Sequence, residues 1–490
     1  MIKELHEKLK NKEITAVQLA EEYFTRIAQK DKDIFAYLTL TKDLAIERAK
    51  KVDEKIAKSL EIGILEGIPG GIKDLILMEG IRATGGSRIL DNYIAPYDAT
   101  VIARLKEAGA VFLGKTNCDE FAMGSSTENS AYGPTKNPYD LERVAGGTSG
   151  GSAAAIAADL AAWTLGTDTG GSTRQPAAFC GVVGLKPTYG RVSRYGVMPA
   201  ASSLEQVGII TKTTEDAAIV LSVIAGEDKM DATTAKSSEK DYTNYLTGEA
   251  KKLKIGIVRE YLDGLNNEVK ESIQKVIEKY KKLGAEIKEI TLPYAKYALP
   301  GYYIINFSEI SSNLAKYDGI RYGMRADDHQ NTPIEVNIDD RNLLETYLDS
   351  RKYGLGMEVK RRIMLGTYAL SSGYYEAYYL RAQKVRTLIK KDFERIFQEV
   401  DLILTPTAPT PAFKLGEKTE NPLEMYLGDI FTVTANIIGV PAISLPAESV
   451  EWEGKKLPVG FQLMGKWFDE EGILRAADAY EKIKLIFNYK

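Results

Sequence analysis

The sequence predicts an α/β fold, and three observations carry that reading. Segments with helical spacing alternate with short apolar runs of strand character. A helix-and-strand unit occurs around residues 98–117, and another around 253–293. A content of 44% hydrophobic and 27% charged residues over 490 positions supplies enough apolar surface for a large buried core. That length fits one large domain or two to three smaller ones.

Residues 14–31 and 43–58 place apolar side chains at helical spacing, so the chain opens on helices. The glycine-rich run 62–80 ends them and introduces a strand-like segment, Ile72 to Leu77. In "DATVIARLKEAGAVFLGKTN", Asp98 is the expected N-cap, Gly109 the helix stop and "AVFLGK" the strand. "SAAAIAADLAAW" reads as a tightly packed small-residue helix. The polar stretch 231–252 is expected to be an exposed connection. Beyond it come "LKIGIVREY" as strand, a helix with Val269, Ile273, Val276, Ile277, Tyr280 and Leu283 on one face, and "GAEIKEITLP". A tyrosine-rich helix over 373–397, a strand "DLILTP", and two apolar runs joined by "EWEGKK" complete the pattern. No internal repeat or low-complexity tract interrupts it.

Charge and composition exclude several classes of function. A net charge of -4 and a pI near 5.7 argue against a chain that grips nucleic acid by itself. Two cysteines, Cys118 and Cys180, do not make a disulfide framework and are expected to be small buried residues. The charged start "MIKELHEKLKNKE" lacks the apolar centre of a secretory signal, and no run of 18 apolar residues occurs. A cytoplasmic protein with no membrane contact is therefore expected.

Chemistry concentrates in residues 146–176, "GGTSGGSAAAIAADLAAWTLGTDTGGSTRQP", which hold seven glycines and eight hydroxyl side chains but neither histidine nor cysteine. Glycines before Thr148, Ser149 and Ser172 leave backbone amides uncovered for an oxyanion. Hydroxyls beside such amides make an acyl-transfer site, with one as nucleophile and another as relay. Either half alone is better explained by close helix packing and capped turns; two hydroxyl-bearing glycine turns bracketing one small-residue helix favour chemistry. "GTSGG" also matches the nucleophile elbow of α/β-hydrolases with Ser149 as nucleophile, but that reading needs His329 of "RADDHQNT". No G-x-x-x-x-G-K-[ST] phosphate loop occurs. Two histidines, His6 and His329, with no clustered cysteines leave no metal site expected.

Without histidine, a neutral lysine is the alternative base for serine. Bringing a lysine from about 10.4 to near 7 takes roughly 4 to 5 kcal/mol of differential destabilisation, so only an enclosed lysine qualifies. Lys73, Lys115 and Lys186 all sit among apolar or glycine neighbours, and spacing does not choose among them.

"GGTSGGSAA" followed by "GTDTGGSTRQPAAFCGVVGLKPTYGRVSRYG" resembles the signature of the amidase signature family of serine amidases. Further segments, including "MGSSTENSAYGPTKNPYD", "YYIINFSEISSNLAKYDGIRYG" and "NPLEMYLGDI", resemble one branch of it, whose members hydrolyse glutamine within tRNA-dependent amidotransferases. The resemblance covers nearly the whole chain and implies a single α/β/α domain over 1–490 around a mixed sheet. Within it, 1–60 are N-terminal helices, 61–230 the signature core, and 253–490 the remainder with the substrate pocket. It implies Ser172 as nucleophile, Lys73 as buried base, and Thr148 as the bridging hydroxyl beside a cis peptide, where serine is usual. Adjacent Ser149 is available to share that role, and Thr173, commonly aliphatic, is read as a packing change.

The amides of Thr169, Gly170, Gly171 and Ser172 are the implied oxyanion hole. Arg362 is implied for a substrate α-carboxylate, Asp429 for its α-ammonium and Tyr302 beside them, with Gly124 and Ser125 lining the pocket. Arg361 and Arg362 compete for the first role, and the bland alternative makes these charges surface groups. The implied activity releases ammonia from glutamine to convert Glu-tRNA(Gln) to Gln-tRNA(Gln). No cofactor is expected on this chain; ATP and magnesium belong to a B subunit, which also makes most tRNA contact, and a small C subunit braces the pair. The alternatives are a free-standing amidase and a scaffold with weak catalysis. The segment near 326–341 looks longer than is usual for the branch.

Overall fold

The strand-like runs assemble, in a computed structural model that describes residues 1–236, 241–325 and 342–488, into one mixed sheet and two short hairpins. In chain order the strands are β1 (Tyr37–Leu40), β2 (Pro69–Lys73), β3 (Val111–Thr116), β4 (Lys136–Asn137), β5 (Asp140–Val144), β6 (Trp163–Asp168), β7 (Val183–Lys186), β8 (Gln206–Thr211), β9 (Lys254–Val258), β10 (Glu286–Ile290), β11 (Leu402–Pro406), β12 (Ala442–Pro446), β13 (Val450–Trp452), β14 (Lys455–Leu457) and β15 (Gly460–Met464). Eleven of them order as β1-β3-β2-β6-β8-β7-β12-β15-β11-β9-β10. Pairing is parallel where β2 meets β3 and β6, and where β9 meets β10 and β11, and antiparallel elsewhere. Every residue of β2, β3, β6 and β8 is buried, so both faces of the central sheet are covered, as an α/β/α layering requires.

The opening helices are Ala16–Ile34, with a Thr15–Gln18 capping box, and Lys42–Ala57. Three local readings need correction. The strand expected over Ile72 to Leu77 ends at Lys73, because the chain turns there: the Ile76 amide donates to the Lys73 carbonyl, and the Asp74 carboxylate takes the amide and hydroxyl of Thr84. Asp98 is not a cap; Ala99 precedes the helix Thr100–Glu107, while Asp98 accepts from the Glu79 amide and pairs with Lys106 at 2.7 Å. Gly109, with φ +74°, ends that unit as expected. The small-residue run is not one helix. Helix Gly150–Ala157 stops, and Trp163 begins the central strand β6, which fits because Gly70 on β2 leaves room for the indole: a Cβ there would lie 2.1 Å from it.

Of the expected connection 231–252, residues 237–240 lie outside the described residues; Tyr242 is buried, and its neighbours are largely exposed. The tyrosine-rich segment divides into a π-helical turn, Glu376–Leu380, and the helix Arg381–Ile396. "GVPAISLPAE" and "LPVGFQLMG" supply β12 and β15, paired antiparallel. Among the described residues no helix is long and apolar enough to cross a membrane.

Candidate active site

β2 ends on Lys73 and delivers it to the sheet interior, where it meets Thr167 of the neighbouring parallel strand β6. The Lys73 ammonium nitrogen donates to Thr148 Oγ1 at 2.7 Å, Ser149 Oγ at 2.9 Å and Thr167 Oγ1 at 2.9 Å, with no solvent exposure. All three partners are neutral. Burial therefore dominates and draws the lysine down to about 8.

The other two candidate lysines are equally buried but do not meet the hydroxyl turns. Lys115 lies 3.2 Å from Asp74 Oδ1 as an ion pair. Lys186 donates to the Pro187 carbonyl at 2.9 Å; burial, helped by the Arg174 cation, draws it down to about 7. A low proton affinity alone would favour Lys186, yet a base must first reach the proton it takes, and that condition singles out Lys73.

Two glycine turns meet above Lys73. Gly146 and Gly147, at φ +87° and +52°, bend the chain into Thr148 and Ser149, and a Cβ at Gly147 would meet Pro176 at 2.4 Å. Ser149 precedes the helix Gly150–Ala157, is fully buried, and donates its hydroxyl to the Thr167 carbonyl at 3.1 Å. That placement does not present Ser149 as the exposed nucleophile of an elbow, and His329 lies outside the described residues. Among the described residues every peptide bond is trans, the Thr148 turn included, so the cis peptide implied by the resemblance is not found here.

The second turn follows β6. Asp168 accepts from the Gly171 amide at 2.9 Å and the Thr173 amide at 3.2 Å, and the buried Arg174 guanidinium donates to both its oxygens at 3.0 Å. Burial pushes this carboxyl up, but Arg174 outweighs it and holds the group at about 2. Asn436 Nδ2 adds a bond at 2.9 Å, and Thr432 Oγ1 caps the Gly170 carbonyl at 2.6 Å.

The Gly171 amide, one of the four expected oxyanion donors, is thus occupied. Those of Thr169, Gly170 and Ser172 donate to no described residue. Ser172 is partly exposed, and its hydroxyl makes no hydrogen bond among the described residues. Its carbonyl accepts from the Ser149 amide at 3.2 Å, which ties the turns together. Thr173 packs its Cβ and hydroxyl over Gly208.

A charged pocket adjoins the turns. Asp429 accepts from Ser125 Oγ at 2.6 Å, Tyr303 Oη at 2.7 Å and Gln175 Nε2 at 3.2 Å. Gln175 Oε1 in turn takes the Gly147 amide at 2.7 Å, which couples the pocket floor to the first turn. Burial pushes the Asp429 carboxyl up to about 6. Arg362 donates Nε to Glu358 at 2.8 Å and lies over the rings of Tyr303, Phe307 and Tyr426, 5.8, 5.6 and 5.5 Å from their centres. Burial opposes its charge, but Glu358 reverses the balance and holds the guanidinium above its ordinary value.

Arg362 Nη2 is buried with no hydrogen-bond partner, a donor suited to a ligand carboxylate. Arg361 is the more exposed and pairs with Glu358, so Arg362 is the one that faces inward. Both Arg362 and Asp429 are buried and are not surface charges. Tyr302 reaches the second turn: a Cβ at Gly170 would lie 2.4 Å from its hydroxyl. Gly124, at φ +155°, shapes the loop before Ser125, where a Cβ would strike Asp119 at 2.5 Å.

Thr167, Asp168, Arg174, Gln175, Tyr303 and Glu358 were not singled out by the sequence. The first four stand within or beside the hydroxyl-rich stretch, and their polar side chains among glycines and alanines were the available signal. Tyr303 and Glu358 carried none. Cys118 and Cys180 are buried and free, with burial pushing both thiols up. Among the described residues no three His, Cys, Asp or Glu side chains gather as a metal would require.

A family model described as Amidase matches residues 18–474. The A subunit of glutamyl-tRNA(Gln) amidotransferase from Carboxydothermus hydrogenoformans is 56% identical over 481 residues, covering 98% of this chain and 96% of that protein. Its counterpart of the same name from Geobacillus thermodenitrificans is 53% identical over 482 residues, with the same 98% and 96% covered. The crystal structure of the corresponding protein from Thermotoga maritima is similar with a TM-score of 0.77 at 41% identity, over 95% of this chain and 91% of that one. Native peptide amidase from Stenotrophomonas maltophilia is similar with a TM-score of 0.82 at 28% identity, over 98% and 96%.

Proposed function

Since the chain belongs to the amidase family, we propose that it is the glutamine-hydrolysing component of a glutamyl-tRNA(Gln) amidotransferase, acting as one unit over its length. The observation that carries this reading is the 2.7 Å contact between Lys73 Nζ and Thr148 Oγ1, made beneath the turn that bears Ser172 and beside a pocket with one buried cation and one buried anion. Relatives 53 to 56% identical over 98% of the chain bear the name of that enzyme's A subunit.

Glutamine enters with its α-carboxylate toward Arg362 and its α-ammonium toward Asp429, which leaves the side-chain amide at Ser172. Neutral Lys73 takes a proton through Thr148 from Ser172, whose oxygen attacks the amide carbon. The amides of Thr169, Gly170 and Ser172 hold the resulting oxyanion, each donor contributing about 3 kcal/mol. The proton returns to the departing nitrogen, ammonia leaves, and water activated by the same lysine releases glutamate from the ester on Ser172. Thr148 serves as relay in preference to Ser149, whose proton is directed at the Thr167 carbonyl.

Ammonia is then consumed by a partner. B and C subunits, Glu-tRNA(Gln), ATP and magnesium belong to that stage in the cytoplasm, and the acidic balance of this chain suits a role in which the partner holds the tRNA. A free-standing amidase for apolar amides fits poorly with two buried opposite charges in the pocket. A weak scaffold fits poorly with three hydroxyls gathered on one buried lysine. The test is ammonia release from glutamine by the chain purified with its accompanying partners, against Ser172→Ala. Release that vanishes in the variant supports the reading; release that persists removes Ser172 as nucleophile.

A further inference from the structure

Resting on the glutaminase reading, the protonated form of Lys73 poses a problem that the three hydroxyls do not solve. Once Lys73 has taken the proton of Ser172, an ammonium stands fully buried among neutral groups, and a buried charge without a counter-charge is costly. The carboxylates that act on it are Glu205, Asp119 and Asp168, with the Cys118 thiol also close. Two of the three are committed elsewhere. Asp168 is held by Arg174, and Asp119 accepts the amides of Ser126, Thr127 and Asn129.

Glu205 is different. It lies one residue before β8, and the antiparallel register that sets Asp168 opposite Gln206 sets Thr169 opposite Glu205 and puts Thr167 on the same face. Its Oε2 accepts from the Ala200 amide at 2.9 Å, while Oε1 is buried and has no hydrogen-bond partner among the described residues. The hydroxyl of Thr169 is buried and unpartnered as well. The hydroxyl of Thr167 accepts from Lys73 at 2.9 Å and faces the Glu205 carboxyl, which burial pushes up while the Ala200 amide, the Lys73 and Arg194 cations and the Thr167 hydroxyl favour its charged form.

We infer that Glu205 is a positioning residue for the hydrolysis, the counter-charge that stabilises protonated Lys73 through the Thr167 hydroxyl. No proton needs to leave Lys73 for this to operate. The Lys73 proton polarises Thr167 Oγ1, and the Thr167 proton points at Glu205. Other charged or titratable groups facing Glu205 are Arg194, Lys316, Tyr302 and Tyr317. Arg194 is paired with Asp231 at 3.5 Å, and Lys316 stands over the Tyr317 ring, so neither takes the place of Lys73.

The experiment is the pH dependence of kcat and KM for glutamine hydrolysis by the co-purified complex carrying Glu205→Gln. Loss of the carboxylate disfavours the ammonium, so the acid limb of kcat/KM moves to lower pH by about one unit, while kcat falls roughly tenfold and KM for glutamine stays within about twofold. Glu205→Asp keeps a charge and should hold the limb near its wild-type position. Thr167→Val, read in the same way if Glu205→Gln does not fold, should shift the limb in the same direction, and adding Glu205→Gln to it should move the limb no further. An unmoved limb in either variant, or a change confined to KM, overturns the inference. Loss of the glutaminase reading would show separately, as ammonia release that survives Ser172→Ala.

Discussion

Lys73 and Arg362 are both withdrawn from solvent, yet the fold treats their charges in opposite ways. Among the described residues Lys73 touches three hydroxyls and no carboxylate within hydrogen-bond distance, so burial prevails and the group is drawn down to about 8. Arg362 receives Glu358 at 2.8 Å and the faces of three aromatic rings, and its charge is kept. A base must shed its proton near neutral pH, whereas an anchor for a carboxylate must never do so. Burial is common to both; the partner decides.

Replacing the base should have the largest effect. Lys73→Ala should lower kcat about 10³-fold or more, since both acylation and ester hydrolysis lose their proton acceptor. Steady-state ammonia release measures this, and a near-normal rate would break the comparison on its first side. Arg362→Ala should act on the second side: an unpaired ligand carboxylate costs about 3 kcal/mol, which raises KM for glutamine roughly 100-fold with a smaller change in kcat. A variant that lost kcat at unchanged KM would place Arg362 in the chemistry and not in binding.

The pH profile sharpens the contrast without any mutation. Activity requires neutral Lys73, whose folded value lies below that of a free lysine, so kcat/KM should climb with pH up to about 8 and level off above it. Asp429, pushed up to about 6, loses its charge below that pH, so KM should also rise as pH falls through this lower window. Thr148→Ser should be the mildest change, within about threefold in kcat, because the relaying hydroxyl remains and only a methyl group is lost.

How much of this was legible depended on where the information resides. Ser172, Thr148 and Ser149 stand in one contiguous stretch, and local glycine turns were enough to mark them. Lys73 was one of three enclosed lysines that spacing could not separate; the family resemblance chose it, and in the structure its bonds to Thr148, Ser149 and Thr167 set it apart from Lys115 and Lys186. The pocket charges come from Asp429 and from a helix of Met357–Leu370, whose inward face is set by packing against Tyr303, Phe307 and Tyr426. No local period announces that. The alternation of layers was readable, yet β6 was hidden in an alanine-rich run whose apolar residues follow neither a twofold nor a 3.6-residue period. The Asp168–Arg174 clamp was hidden for a related reason: both residues lie in the stretch, but their mutual distance depends on a turn.

The most direct test of the account is to quench the complex during glutamine turnover and locate the acyl group by peptide mass spectrometry. A glutamyl ester on Ser172, formed at the working pH and preserved by an acid quench, is the predicted result. An ester on Ser149 or Thr148, or turnover with no covalent species under any quench, would contradict it.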